Sequence, residues 1–358
     1  MITSLIMAGG KGERFWPKSR TNLPKQFLNI SGNKSMIQQA VARLERLMQI
    51  EQIFIVTNEL YAELISAQIP HLPIENLIIE PSGRNTAPSI ALSSLYIEER
   101  YPDSTIIVLP SDHIIKNEGE FVDILKTASE VAESGENIVT LGITPTYPET
   151  GYGYIESANE ISTLNNLEVH RVRRFVEKPD SITAESYVTS GNYYWNSGMF
   201  IWKSSTILEC FKKFMPAIYE IMMEIQHKIK AGAAQEAIHL DFAKMPEESI
   251  DYGIMEKADN IFVIPCKFGW DDVGSWTALD RINERDDFGN VIKGNILNID
   301  TKRCIIESNN GKLVATLGIE DLIVVDTDDV TLICSKEKAQ EMKLLLKELR
   351  VQKMEQYL

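Results

Sequence analysis

The chain has 358 residues, 44% hydrophobic and 24% charged, enough for one large α/β domain with an appendage or two domains of moderate size. Its 51 acids against 36 lysines and arginines give a net charge of -15, so there is no basic surplus for a nucleic-acid backbone, and a phosphate ligand must be held by local cations. No run approaches the roughly 18 to 20 apolar residues of a membrane span, the N-terminus lacks a signal-peptide pattern, and Cys210, Cys266, Cys304 and Cys334 are too scattered for a zinc site or disulfide framework. These features lead us to expect a cytoplasmic protein with reduced thiols and with neither nucleic acid nor membrane as partner.

The first element is a strand, SLIMA at 4–8, that opens into Gly9, Gly10 and Gly12 with cations at Lys11, Arg14, Lys18 and Arg20. Glycines after a strand let backbone N–H groups approach phosphate oxygens with no Cβ in the way. The spacing is neither G-x-x-x-x-G-K-[ST] nor G-x-G-x-x-G, since position 15 is Phe. A tight strand-to-helix turn therefore explains the glycines equally well, until Arg14 and the Lys25 of Pro24-Lys25-Gln26 tip the balance toward an anion. Helical periodicity at 36–48 and 87–100 alternates with apolar strands at 53–57, 77–80, 105–110 and 138–143. That alternation is the pattern of βαβ units, and the nearly all-apolar strands are expected to be covered on both faces.

VLPSDHII, at 108–115, presents Ser111, Asp112 and His113 at the carboxyl end of a strand, where open α/β sheets bind ligands. Asp112 suits Mg²⁺ or a helix N-cap, and His113 reads as a packing or hydrogen-bonding residue. FVEKP at 175–179 offers Glu177 and Lys178 at a strand end, and Asn196 lies in a turn before the strand MFIWK. A long helix is expected over 204–232. FGWDDVGSW, at 268–276, sets Asp271 and Asp272 in an aromatic, glycine-bounded turn, and Asp112 with either acid would give Mg²⁺ two carboxylates. From about residue 290, short strands separated by Asn, Gly and Asp read as a β-helix or meander, followed by a helix at 336–356. The chain thus divides into a domain at 1–288 and a β-rich tail with a terminal helix at 289–358.

Taken in order, MAGGKGERFWPKSR, PKQF, EPSGRNTAPSIALS, LPSDH, TGYGYIE, FVEKP, WNSGMF, SIDYGIMEKA and GWDDVGSW resemble the sugar nucleotidyltransferase family, and within it the mannose-1-phosphate guanylyltransferases. The resemblance spans residues 7 to 276, with EPSGRNTAP and WNSGMF its most specific strings. It implies an α/β fold with a mixed, mainly parallel, Rossmann-like sheet flanked by helices and a small β-helix-like C-terminal appendage, left-handed in that family. It also implies Mg²⁺-dependent transfer of GMP from GTP to mannose 1-phosphate, giving the nucleotide-sugar GDP-mannose and pyrophosphate, in a homodimer.

Carried over position by position, the resemblance assigns Gly9, Gly10, Gly12 and Arg14 to the GTP phosphates and Lys25 to the reacting phosphoryl group. It assigns Glu80, Arg84, Asn85, Thr86 and Ser111 to guanosine, and Gly153, Glu177, Lys178 and Asn196 to mannose 1-phosphate. Asp112 and Asp272 become the metal ligands, Asp272 being favoured over Asp271 because the family places its acid just before an x-Gly-Ser/Thr turn. Arg14, Lys25, Asp112 and Asp272 are then the catalytic set. The same chemistry on another hexose or heptose 1-phosphate is the nearest alternative, and a non-catalytic GDP-mannose-binding regulatory homologue the next. Longer family members carry a cupin-type isomerase domain. The five histidines here, at 71, 113, 170, 227 and 239, all precede residue 290, so isomerase activity is not expected.

Overall fold

The computed structural model describes residues 1–176, 178–309 and 311–358. The chain forms two compact units, the first built from 1–9, 40–111 and 115–270, the second from 10–39, 112–114 and 271–358. Among the described residues no helix is long and apolar enough to cross a membrane.

The first unit is a nine-stranded sheet with helices. Its strands are β1 (Ile2–Met7), β2 (Ile53–Asn58), β3 (Leu77–Glu80), β4 (Thr105–Pro110), β5 (Ile138–Ile143), β6 (Tyr154–Leu164), β7 (Leu167–Val176), β8 (Tyr193–Lys203) and β9 (Ile261–Cys266). They lie in the order β3-β2-β1-β4-β8-β5-β9-β7-β6, with β8 also pairing to β6. β1 pairs in parallel with β2 and β4, β2 with β3, and β5 with β9. β8 is antiparallel to β4, β5 and β6, and β7 is antiparallel to β6 and β9. All strands but β7 and β8 therefore point the same way, which makes the sheet mixed and mainly parallel.

β1, β2 and β4 are buried along nearly their whole length, as their unbroken apolar sequence requires of strands covered on both faces. Leu5, Phe54, Val56, Ile106 and Val108 share a core with Ile90, Ala91 and Leu95 of the helix Thr86–Arg100 and Phe211, Met222 and Phe242 further on. The helical pattern at 204–232 resolves into two helices, Ser204–Phe214 and Pro216–Lys230. Pro216 is the reason. It brings no N–H and excludes the carbonyl one turn back, so it opens a helix well and cannot continue one.

The second unit contains the tail strands β10 (Val291–Lys293), β11 (Ile296–Ile299), β12 (Ile305–Ser308), β13 (Val314–Leu317), β14 (Leu322–Asp326) and β15 (Thr331–Ser335). They pair as β10-β12-β14-β15 and β11-β13, parallel except for the final hairpin of β14 and β15, in the manner of stacked coils. The helix expected over 336–356 is α-helical only at Met342–Val351, with 3-10 turns at Lys336–Glu341 and Glu355–Tyr357. The first glycine loop and the tail share one core. Phe15, Trp16, Val273 and Trp276 pack with Ile305, Ile323, Val325, Met342 and Leu346. Trp276 donates Nε1–H to the Trp16 carbonyl at 3.0 Å, and Trp16 donates to the Tyr357 carbonyl at 2.6 Å.

Candidate active site

The core just described fixes the backbone next to several polar side chains, because Phe15 follows Arg14 and Val273 follows Asp272. Gly12, Arg14, Lys25, Asp112 and Asp272 line one cavity of about 330 Å³ in the second unit, together with Lys11, His113 and Lys343. Lys25 is its pivot. The buried Lys25 ammonium lies 2.8 Å from Asp112 Oδ2 and donates to the Asp272 main-chain carbonyl at 2.6 Å, tying together three segments that are far apart in sequence. Gly12 makes this approach feasible. Its φ is +57°, and a Cβ there would sit 2.4 Å from Lys25 Cβ and 2.5 Å from the Lys25 amide nitrogen. Beside it, Gln26 donates Nε2–H to the Gly10 carbonyl at 2.8 Å.

The two adjacent acids have different environments. Buried Asp271 takes Arg281 in a two-point ion pair, at 2.7 and 3.1 Å, and accepts the Val273 amide at 2.8 Å. Its acceptor capacity serves the turn. Asp272 faces the cavity, and its Oδ1 accepts the Gly274 amide at 3.1 Å. Val273 between them has φ +47°, a conformation costly for a β-branched residue and held here by full burial. Crowding around Asp112 pushes its carboxyl up, but the Lys25 ammonium and then His113 outweigh that and hold it below the usual carboxylate range. Asp112 also keeps 36% of its side-chain surface open. Asp112 and Asp272, both lining this cavity, suit a hard divalent ion, which takes one or two carboxylates and completes its shell with water and phosphate oxygens. Among the described residues no cluster of three or more His, Cys, Asp or Glu offers an all-protein cage, so substrate and water would supply the remaining ligands.

In the first unit, Glu80 ends β3 buried, with the Ser89 hydroxyl donating to it. Burial raises the Glu80 carboxyl above its ordinary value, and the Ser89 donor offsets part of that. Gly9 is small because a Cβ there would meet Glu80 Oε1 at 2.7 Å. Arg84 donates to the Met245 carbonyl at 2.7 Å, and Asn85 Oδ1 accepts the Thr86 amide at 2.9 Å, capping the following helix. The Thr86 hydroxyl accepts from the Ile250 amide at 2.8 Å, and the amide of buried Ser111 donates to the Met7 carbonyl at 3.1 Å.

A second cluster in this unit joins Gly153, Lys178 and Asn196. The Asn196 amide donates to the Gly153 carbonyl at 2.8 Å, and its side chain donates to Asp251 Oδ1, also at 2.8 Å. Burial raises the Asp251 carboxyl, and the Asn196 donor and the Lys178 charge lower it in part. Trp195 is ringed by Tyr147, Tyr152 and Trp270 at centroid distances of 4.9, 5.3 and 6.5 Å. Glu177 lies outside the described residues. Two residues with no role assigned from sequence emerge here. Asp251 sits inside the SIDYGIMEKA string, whereas Lys343 belongs to no motif and reads as one charge on an amphipathic helix.

Residues 3–287 match the nucleotidyl transferase family model, and residues 294–349 match a MannoseP isomerase/GMP-like beta-helix domain. The chain belongs to the nucleotidyl transferase family and is a nucleotidyltransferase. It is 41% identical to mannose-1-phosphate guanylyltransferase 2 of Escherichia coli O157:H7, over all of this chain and 75% of that one. It is 39% identical to mannose-1-phosphate guanylyltransferase of Klebsiella pneumoniae, over all of this chain and 76% of that one. A crystal structure described as mannose-1-phosphate geranyltransferase from Thermus thermophilus superposes with a TM-score of 0.87 at 34% identity, covering 98% of this chain and 99% of that one.

Proposed function

We propose that this nucleotidyltransferase moves GMP from GTP to mannose 1-phosphate, giving GDP-mannose and pyrophosphate with Mg²⁺ as cofactor. The observation that carries the reading is the Lys25 pivot, in which one buried ammonium draws the glycine loop, Asp112 and the Asp272 turn into a single polar cavity. The names of the relatives support the choice of sugar and base.

In the reaction, a phosphate oxygen of mannose 1-phosphate attacks the α-phosphorus of GTP. The new P–O bond forms as the bond from the α-phosphorus to the bridging oxygen breaks, and pyrophosphate leaves with the electron pair. No covalent enzyme intermediate is needed, so the residues act by positioning and by neutralising charge. Arg14 and Lys11 hold the phosphates that leave. Lys25 stabilises charge at the reacting phosphoryl group while holding Asp112 in place. Lys178 and Asn196 serve the sugar phosphate, with Asp251 orienting the Asn196 amide; Glu80, Arg84, Asn85, Thr86 and Ser111 serve guanosine. A divalent ion on Asp112 and Asp272 would supply Lewis-acid neutralisation of the phosphate oxygens.

A pyrophosphate-release assay crossing the common nucleoside triphosphates with a panel of sugar 1-phosphates, with and without Mg²⁺, tests the reading. Release should be fastest with GTP and mannose 1-phosphate and should require the metal. Preference for another hexose or heptose 1-phosphate would reassign the sugar, and no release with any pair would refute the enzyme.

A further inference from the structure

The cavity contains more cation than its acids can use. Asp112 is taken by Lys25, Glu13 is paired with Arg350 at 3.0 Å, and Asp272 accepts the Gly274 amide. The Arg14 guanidinium meets, among the described residues, only a neutral partner, the Gln340 side-chain carbonyl at 3.0 Å. Among the described residues, neither Lys11 nor Lys343 makes an ion pair or hydrogen bond through its side chain. Three unpaired cations around one cavity of a protein with net charge -15 repel one another, and a bound polyanion is what would relieve them.

The position of Lys343 is built by the fold. Met342, its neighbour, is buried in the core with Phe15, Val273 and Trp276, which pins the first turn of the helix Met342–Val351 at the cavity. Three residues earlier, Gln340 accepts from Arg14 and donates to the Ser275 hydroxyl at 3.4 Å, linking the glycine loop to the turn that carries Asp272. The segment 340–343 thus supplies both a brace for Arg14 and a lysine to the same space. A lysine there is a mobile point charge on a flexible stem, suited to phosphate oxygens that shift as a bond breaks.

We infer that Lys343 is a polyphosphate-binding residue, holding the terminal phosphates of the nucleotide substrate and then the departing pyrophosphate, so that the C-terminal helix is part of the active site. This rests on the nucleotidyl-transfer reading above. The test uses the full chain with inorganic pyrophosphate as the probe in calorimetry, alongside steady-state kinetics. Lys343→Met should weaken pyrophosphate binding and raise KM for GTP by about 10-fold, the scale of one exposed charge-assisted contact. KM for mannose 1-phosphate should stay put, and Lys343→Arg should recover most of the loss. The gap between wild type and Lys343→Met should narrow as salt rises, because the contact is screened. Lys347→Ala, on the same helix outside the cavity lining, should match wild type. Equal pyrophosphate affinity in wild type and Lys343→Met, or no pyrophosphate binding by either, overturns the inference while leaving turnover to judge the reaction. Absence of turnover with every substrate pair, alongside a retained difference in pyrophosphate binding, would defeat the reaction and keep the polyphosphate site.

Discussion

Gly12→Ala and Gly10→Ala make the same chemical change two residues apart in one loop, yet should have opposite outcomes. At Gly12 the added Cβ would occupy a left-handed backbone, φ +57°, which costs an L-residue roughly 1–2 kcal/mol. The same Cβ would lie 2.4 and 2.5 Å from Lys25 Cβ and backbone nitrogen, atoms that cannot swing aside, and such overpacking costs roughly 1–3 kcal/mol more. The expected destabilisation is therefore about 2–5 kcal/mol. A Cβ at Gly10 meets nothing within 4 Å, so Gly10→Ala should leave stability unchanged or raise it by up to about 1 kcal/mol. Because relief of the clash moves Lys25 away from Asp112 and Asp272, Gly12→Ala should also lower kcat by about 100-fold, the usual scale for a displacement of about 1 Å. Denaturant titration of both variants and their pyrophosphate release decide the matter. Coincident unfolding curves for the two would show that the close approach of Gly12 to Lys25 is not what the loop requires, and the account of the pivot would fail.

The two adjacent acids should separate by phenotype. Asp272→Ala should abolish metal-dependent turnover while the chain keeps its stability, and Asp112→Ala should abolish it with a loss of stability as well, because it strands the buried Lys25 ammonium; Asp271→Ala, which strands Arg281 and the Val273 amide, should cost about 1–3 kcal/mol in denaturant unfolding. The reverse pattern would assign the metal to Asp271. Arg14 is exposed and its only hydrogen bond among described residues goes to Gln340, so Arg14→Ala should shift stability by no more than about 0.5 kcal/mol yet raise KM for GTP severalfold; a large unfolding penalty would make it structural. Asp251 has a carboxyl raised by burial, so the folded chain binds its proton more tightly than the unfolded chain does. Its contribution to stability should be most favourable below the ordinary carboxylate value of about 4 and decline as pH rises from there through the folded value. Asp251→Asn should flatten that decline in denaturation midpoints measured from pH 4 to 7, and an unaltered pH profile would remove Asp251 from the account.

Some of this was legible along the chain because the signal is local. An apolar strand breaking into glycines, a strand ending in Pro110-Ser111-Asp112, and an acid pair between Trp270 and Trp276 each lie within a dozen residues. Period and punctuation likewise marked β1, β2, β4 and the short strands of the tail, whose parallel stacking they left open against a meander. The break at Pro216 was legible in principle, since proline opens helices and ends them, but the apolar periodicity on either side masked it. Asp251 carried a matching string but no chemistry until Asn196 was seen donating to it across 55 residues of chain.

The sequence by itself pointed to the class of protein through the ordered strings from MAGGKGERFWPKSR to GWDDVGSW, since the glycine loop read alone fitted a tight turn as well as a phosphate cradle. Tertiary structure decided how the charged side chains in those strings are used. Only in the folded chain does Lys25 reach Asp112 and the Asp272 carbonyl, does Arg281 occupy Asp271, and does Gln340 meet Arg14 over a separation of 326 residues. The physical reason is that charge acts through distance in space, and no local pattern reports which side chains a shared core of Phe15, Val273 and Met342 will bring together.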